Sequence, residues 1–141
     1  MNRYAKASSL EKLVTILILD DEFDLVMLLK QGLERRGFRV FSFTDPFLAL
    51  EHFKINALDC DLVISDLRMP GMNGFEFLTK IKEIRSDIKI FLMTAFDVSD
   101  MRSSIAISSL KVNEYIVKPF SIQNLIVIID KYISLKNNNN S

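Results

Sequence analysis

Five short apolar, β-branched segments recur along the chain, at residues 14–19, 39–43, 62–65, 88–93 and 114–117, and stretches of helical spacing separate and follow them. That alternation limits the fold severely. Strands separated by a dozen or more residues of helix pair in parallel, and the helices then cover both faces of the sheet. A strand buried on both faces reads as a continuous apolar run, and Ile16, Leu17, Ile18 and Leu19 form one. The expected class is α/β, a doubly wound five-stranded parallel sheet. With 141 residues, the chain has the size of one domain, placed here at 13–136. Residues 1–12 form an N-terminal extension and 137–141 an asparagine-rich tail expected to be disordered. No second domain is expected, nor a helix-turn-helix after Leu135.

Local signals mark the helices. Phe23, Val26, Leu29 and Leu33 follow a helical stripe, and Gly37 is placed to end that helix. Asp45-Pro46 reads as an N-cap followed by proline at the first helical position. Phe75, Leu78, Ile81 and Ile84 mark a third helix starting near Asn73. Ser121 can cap a last one carrying Leu125, Ile128 and Tyr132. The segment 98–110, rich in serine, has only a partial apolar stripe and reads as the least stable helix.

Charge and cysteine content narrow the function. Lys plus Arg equal Asp plus Glu at 18 each, so no bulk field favours nucleic acid or an anionic membrane. One cysteine, Cys60, permits no internal disulfide and reads as a buried inert thiol in a reducing compartment. The apolar runs are too short to span a bilayer and no signal peptide is visible, so a cytoplasmic location is expected.

In an open α/β sheet the ligand site lies beyond the carboxyl ends of the strands. Strand one ends in Asp20-Asp21-Glu22, strand three in Ser65-Asp66, strand four in Thr94-Ala95 and strand five in Lys118-Pro119. Each residue alone has an ordinary reading: an N-cap for Asp20 or Asp21, a turn for Asp66, a solvated charge for Lys118. Together they make a site. Clustered carboxylates repel unless a cation intervenes, and oxygen-only ligands suit Mg²⁺. His52, the only histidine, falls within the second helix and reads as a surface residue. A metal held by Asp21 and Asp66 can also take a phosphoryl oxygen, while Lys118 neutralises another and Thr94 donates to a third. Phosphoryl transfer needs little beyond such positioning and charge neutralisation, and a carboxylate nucleophile then yields an aspartyl-phosphate.

The segments ILILDDE, LVISDLRMPGMNG, FLMTAFD and YIVKPFS, in order and in register from about residue 15 to 136, resemble the receiver domain of two-component response regulators. The resemblance implies a flavodoxin-like strand order 2-1-3-4-5. It implies Asp66 as phosphoacceptor, Asp20, Asp21, Asp66 and the Arg68 backbone carbonyl as the Mg²⁺ site, and Lys118 as the phosphoryl partner with a cis bond to Pro119. Thr94 and Tyr115 match the family's switch pair. Arg68 and Phe96 match positions flanking the attacking water, and bulky Phe96 is expected to slow phosphoryl loss. The implied partners are a sensor histidine kinase and a downstream protein contacting the face of segment 98–110, strand five and the last helix. A phosphorelay intermediate that passes the group to a second histidine protein is the alternative. An aspartyl-nucleophile phosphatase fits less well, because Arg68 occupies the position where such enzymes carry an acid–base Asp.

Overall fold

The computed structural model describes residues 13–95 and 108–140, with side chains to Ile133. Five strands, β1 (Thr15–Leu19), β2 (Arg39–Phe43), β3 (Leu62–Asp66), β4 (Lys89–Thr94) and β5 (Glu114–Val117), form one parallel sheet. Their order is β2-β1-β3-β4-β5, the order 2-1-3-4-5 implied by the resemblance. The described helices are α1 (Phe23–Arg35), α2 (Pro46–Asn56), α3 (Gly74–Ile84) and α4 (Ile122–Asn140), with a 3₁₀ turn at Ala57–Asp59.

Two apolar layers sandwich the sheet. Leu17, Leu19, Val63, Ile90 and Leu92 face α2 and α3, meeting Phe53, Phe77, Leu78 and Ile81. The alternate residues Ile16, Ile18, Leu62, Ile64 and Phe91 face α1 and α4, meeting Leu29, Leu33, Leu125 and Ile129. Strand periodicity of two thus supplies both cores from the same strands. At 25 cal/mol per Å², burying each large apolar side chain contributes about 1.5–3 kcal/mol.

The helix ends follow the local chemistry. Asp45 accepts the Phe47 N–H at 2.9 Å with Pro46 at the first helical position. Asn73 accepts the Glu76 N–H at 2.9 Å, and Ser121 the Asn124 N–H at 3.0 Å. Gly37 takes φ +106, and the Gly37 and Phe38 N–H groups close on the Glu34 and Leu33 carbonyls.

Several helix phases differ from expectation. On α1, Val26, Leu29 and Leu33 are buried but Phe23 is 64% exposed, because it opens the helix beyond the sheet edge. On α3 the buried aromatic is Phe77; Phe75 is only partly buried and Ile84 stands at the helix end, outside the core. On α4 the buried stripe is Leu125, Ile129 and Ile133, with Ile128 and Tyr132 on its flank. The helix also continues to Asn140, past the point where a disordered tail was expected to begin. Extending an existing helix adds one backbone bond per residue without a new nucleation cost, so even poor helix formers can be carried along. The 1–12 extension, Phe96 and most of segment 98–110 lie outside the described residues.

Cys60 is buried, and burial pushes its thiol up to about 11, in keeping with an inert role. His52 is half-buried rather than freely solvated, its ring tilted against Phe41 at 4.4 Å and Phe43 at 5.3 Å between centroids. Burial and nearby Arg39 lower its pKa. Among the described residues no helix is long and apolar enough to cross a membrane.

Candidate functional site

Backbone bonds that continue the sheet past its strands set the site. The Asp20 N–H reaches the Phe43 carbonyl at 3.2 Å, extending the β1–β2 ladder by one residue. The Leu67 N–H reaches Met93 O at 3.0 Å, fixing the chain just after Asp66 against β4. The Lys118 N–H reaches Thr94 O at 2.7 Å, tying the end of β5 to the end of β4. The side chains delivered to this edge are therefore held by rigid strands rather than by long loops.

Asp20 and Asp66 are buried and Asp21 is exposed at the mouth. One carboxylate oxygen from each lies within 4.8 Å of the others. The Lys118 ammonium stands among them, 2.7 Å from Asp20 Oδ2, 3.2 Å from Asp66 Oδ1 and 3.3 Å from Glu22 Oε1. Asp20 is further anchored because its Oδ1 accepts the Glu22 N–H at 2.9 Å. The Lys118–Pro119 bond is cis, as the resemblance implied.

The cluster is acidic, and Lys118 compensates it only in part. Burial raises the pKa of Asp66, the Asp20 charge raises it further, and the bond and charge of Lys118 do not fully offset them. Burial works against the Lys118 charge, but the hydrogen bond and charge of Asp20, with those of Asp66, win and raise its pKa. The donors are hard oxygens, clustered and partly solvated, which fits Mg²⁺ and offers nothing to a thiophilic metal. The backbone carbonyl of exposed Arg68 leaves the same strand end two residues on.

Thr94 is buried at the end of β4, paired with Val117 of β5, and Tyr115 pairs with Leu92. Strand alternation puts Thr94 and Tyr115 on one face of the sheet, the face that packs on α2 and α3, where Tyr115 is half-buried. The structure thus brings together Asp20, Asp21, Asp66 and Lys118, with Thr94 at the adjoining strand end and Tyr115 on the same sheet face as Thr94.

Two residues escaped sequence reasoning. Glu22 is the third carboxylate on Lys118; its place directly after the acidic pair was the available signal. Gly74 opens α3 with its N–H on Leu67 O at 2.7 Å. A Cβ on it would collide with the Asp66 carbonyl oxygen and come within 2.8 Å of Leu67 Cα. Only glycine lets α3 start this close to the candidate phosphoacceptor. Glycine is a poor helix former, so its presence in the first turn was the hint.

An open parallel sheet with carboxylates and an ammonium gathered at its carboxyl edge defines a doubly wound α/β protein with an acidic cluster where its strands end. The family model for the response regulator receiver domain matches residues 16–130. The chain belongs to that family. Sporulation initiation phosphotransferase F of Bacillus subtilis is 32% identical over 124 residues, covering 87% of this chain and 96% of that one. The transcriptional regulatory protein YvrH of B. subtilis is 38% identical over 109 residues, 76% of this chain. This chain spans only 44% of YvrH. A receiver domain protein from Clostridium thermocellum superposes with a TM-score of 0.78 at 29% identity, covering 89% of this chain and 98% of that one.

Proposed function

We propose that this protein is a phosphorylation-dependent signalling switch that accepts a phosphoryl group on Asp66 from the phosphohistidine of a sensor kinase. The observation that carries the reading is the Lys118 ammonium held 3.2 Å from Asp66 and 2.7 Å from Asp20 in an acidic cluster at the sheet edge. An Asp66 carboxylate oxygen attacks phosphorus, the P–N bond breaks, and the imidazole nitrogen keeps the electron pair. Lys118 neutralises one phosphoryl oxygen and the Thr94 hydroxyl donates to another. Asp20, Asp21, Asp66 and the Arg68 carbonyl would hold Mg²⁺, which supplies charge neutralisation for the transferred group. New contacts at Thr94 bias Tyr115, whose shared sheet face with Thr94 supports the coupling. The face formed by β5 and α4 then changes toward a protein partner in the cytoplasm.

A relay role is the second reading, favoured by one observation: the B. subtilis relative matched over 96% of its length is named a phosphotransferase. Only that reading requires rapid onward transfer to another histidine protein.

Dependence on the cation tests the common core of both readings. Incubation with acetyl phosphate and Mg²⁺ should add one phosphoryl group to the intact mass, and excess chelator should suppress the addition at least ten-fold. Asp21→Asn should require much more Mg²⁺ for the same yield. Equal yields with and without the chelator would overturn the metal assignment.

A further inference from the structure

An ammonium carries three N–H donors, and three carboxylate acceptors surround that of Lys118: Asp20 Oδ2 at 2.7 Å, Asp66 Oδ1 at 3.2 Å and Glu22 Oε1 at 3.3 Å. Asp20 and Glu22 accept hydrogen bonds from it and Asp66 pairs with it as an ion, so three carboxylates share three donors. A phosphoryl oxygen arriving on Asp66 therefore has to take a donor from a carboxylate already in place.

The three are unequal. Asp20 is fully buried, makes the shortest contact and is pinned through its other oxygen by the Glu22 N–H at 2.9 Å. Its release would strand a buried charge. Asp66 carries the incoming group itself. The Glu22 side chain is 65% exposed and makes the longest contact, so on release it passes directly into water.

Among the described residues, the Glu22 carboxylate bonds to Lys118 alone. Glu22 stands at the N-cap of α1, where its backbone carbonyl accepts the first helical bond from the Val26 N–H while its side chain makes no capping bond. With Leu25, Ala95, Pro119 and Phe120 it lines a cavity of about 400 Å³ that Lys118 also borders. An anionic phosphodonor approaching Lys118 from that side meets the Glu22 charge first.

We infer that Glu22 is a built-in competitor for Lys118, holding its third donor in the unphosphorylated protein and yielding it to the incoming phosphoryl oxygen. The inference rests on the reading of Asp66 as phosphoacceptor. Glu22 acts through Lys118 and is a positioning residue: it sets how readily the ammonium becomes available, and so how fast a donor is used.

The test compares wild type, Glu22→Gln and Glu22→Ala with Asp24→Asn, which removes an exposed first-turn carboxylate of α1 that is not among the carboxylates paired with Lys118. Initial rates of phosphoryl addition from acetyl phosphate with Mg²⁺ are read by intact mass across donor concentrations. Both Glu22 variants should react about two- to five-fold faster below saturation, the range expected for loss of one exposed ion pair. The gain should appear as a lower half-saturating donor concentration with an unchanged melting temperature. Asp24→Asn should match wild type. Without donor or Mg²⁺, reductive methylation of Lys118, read by peptide mass, should also be faster in both Glu22 variants.

Equal acceleration by Asp24→Asn would reduce the effect to net charge and overturn the inference. So would wild-type rates and wild-type Lys118 methylation in the Glu22 variants. A wild type that takes no phosphoryl group has a different signature, a silent mass in every variant. That result overturns the Asp66 reading and the inference with it.

Discussion

Lys118→Ala is expected to slow phosphoryl addition at Asp66 by about 100-fold, the usual effect of deleting one donor aimed at developing charge. The same change should destabilise the metal-free protein by about 3 kcal/mol, since it removes the cation from a buried pair. Both effects come from one geometry. Asp20 is fully buried and Asp66 nearly so, and Lys118 is the ammonium bonded to both. Burial and mutual repulsion already raise the pKa of Asp66 with Lys118 present. Without it the repulsion is unopposed until a divalent cation arrives. Added Mg²⁺ should therefore restore much of the lost stability in urea unfolding while restoring little of the rate. An unaltered urea midpoint in chelator would show that Lys118 does not hold the cluster together.

Gly74→Ala has the other large expected effect. Overpacking a core position costs about 1–3 kcal/mol, and this position should lie at the upper end. The atom in the way is the Asp66 backbone carbonyl oxygen, which cannot rotate aside as a side chain end can. Either α3 retreats or the strand end carrying Asp66 moves, and a displacement of about an ångström in a reacting group can cost 100-fold in rate. Gly37→Ala is the contrast. Its φ of +106 strains any other residue, but nothing lies within 4 Å of an added Cβ. That variant should lose stability, by roughly 1 kcal/mol, and keep the wild-type rate of phosphoryl addition. If the two glycine variants lost rate equally, the close approach of α3 would have no bearing on Asp66.

What the sequence disclosed and what it hid divide along a physical line. Strand positions, the Asp45, Asn73 and Ser121 caps and the Gly37 terminus were legible because each is decided within a few residues. The acidic edge was legible because parallel topology sends every strand end the same way. Helix phase was harder. In α3, Phe75, Phe77 and Leu78 are crowded neighbours, and spacing alone does not choose which aromatic turns inward; Phe77 does. In α2 the apolar residues lie all round, with Phe47 and Leu48 outside and Ala49, Leu50 and Phe53 inside. Gly74 and Glu22 were hidden for a further reason. Their importance lies in what another segment brings to them: the Asp66 carbonyl in one case, the Lys118 ammonium in the other.

Every step of the switch depends on phosphoryl transfer to Asp66. Wild type and Asp66→Asn are incubated side by side with acetyl phosphate and Mg²⁺, and their intact masses are compared. Wild type should gain one phosphoryl group and Asp66→Asn none. No gain in wild type, or an equal gain in both proteins, would contradict transfer to Asp66.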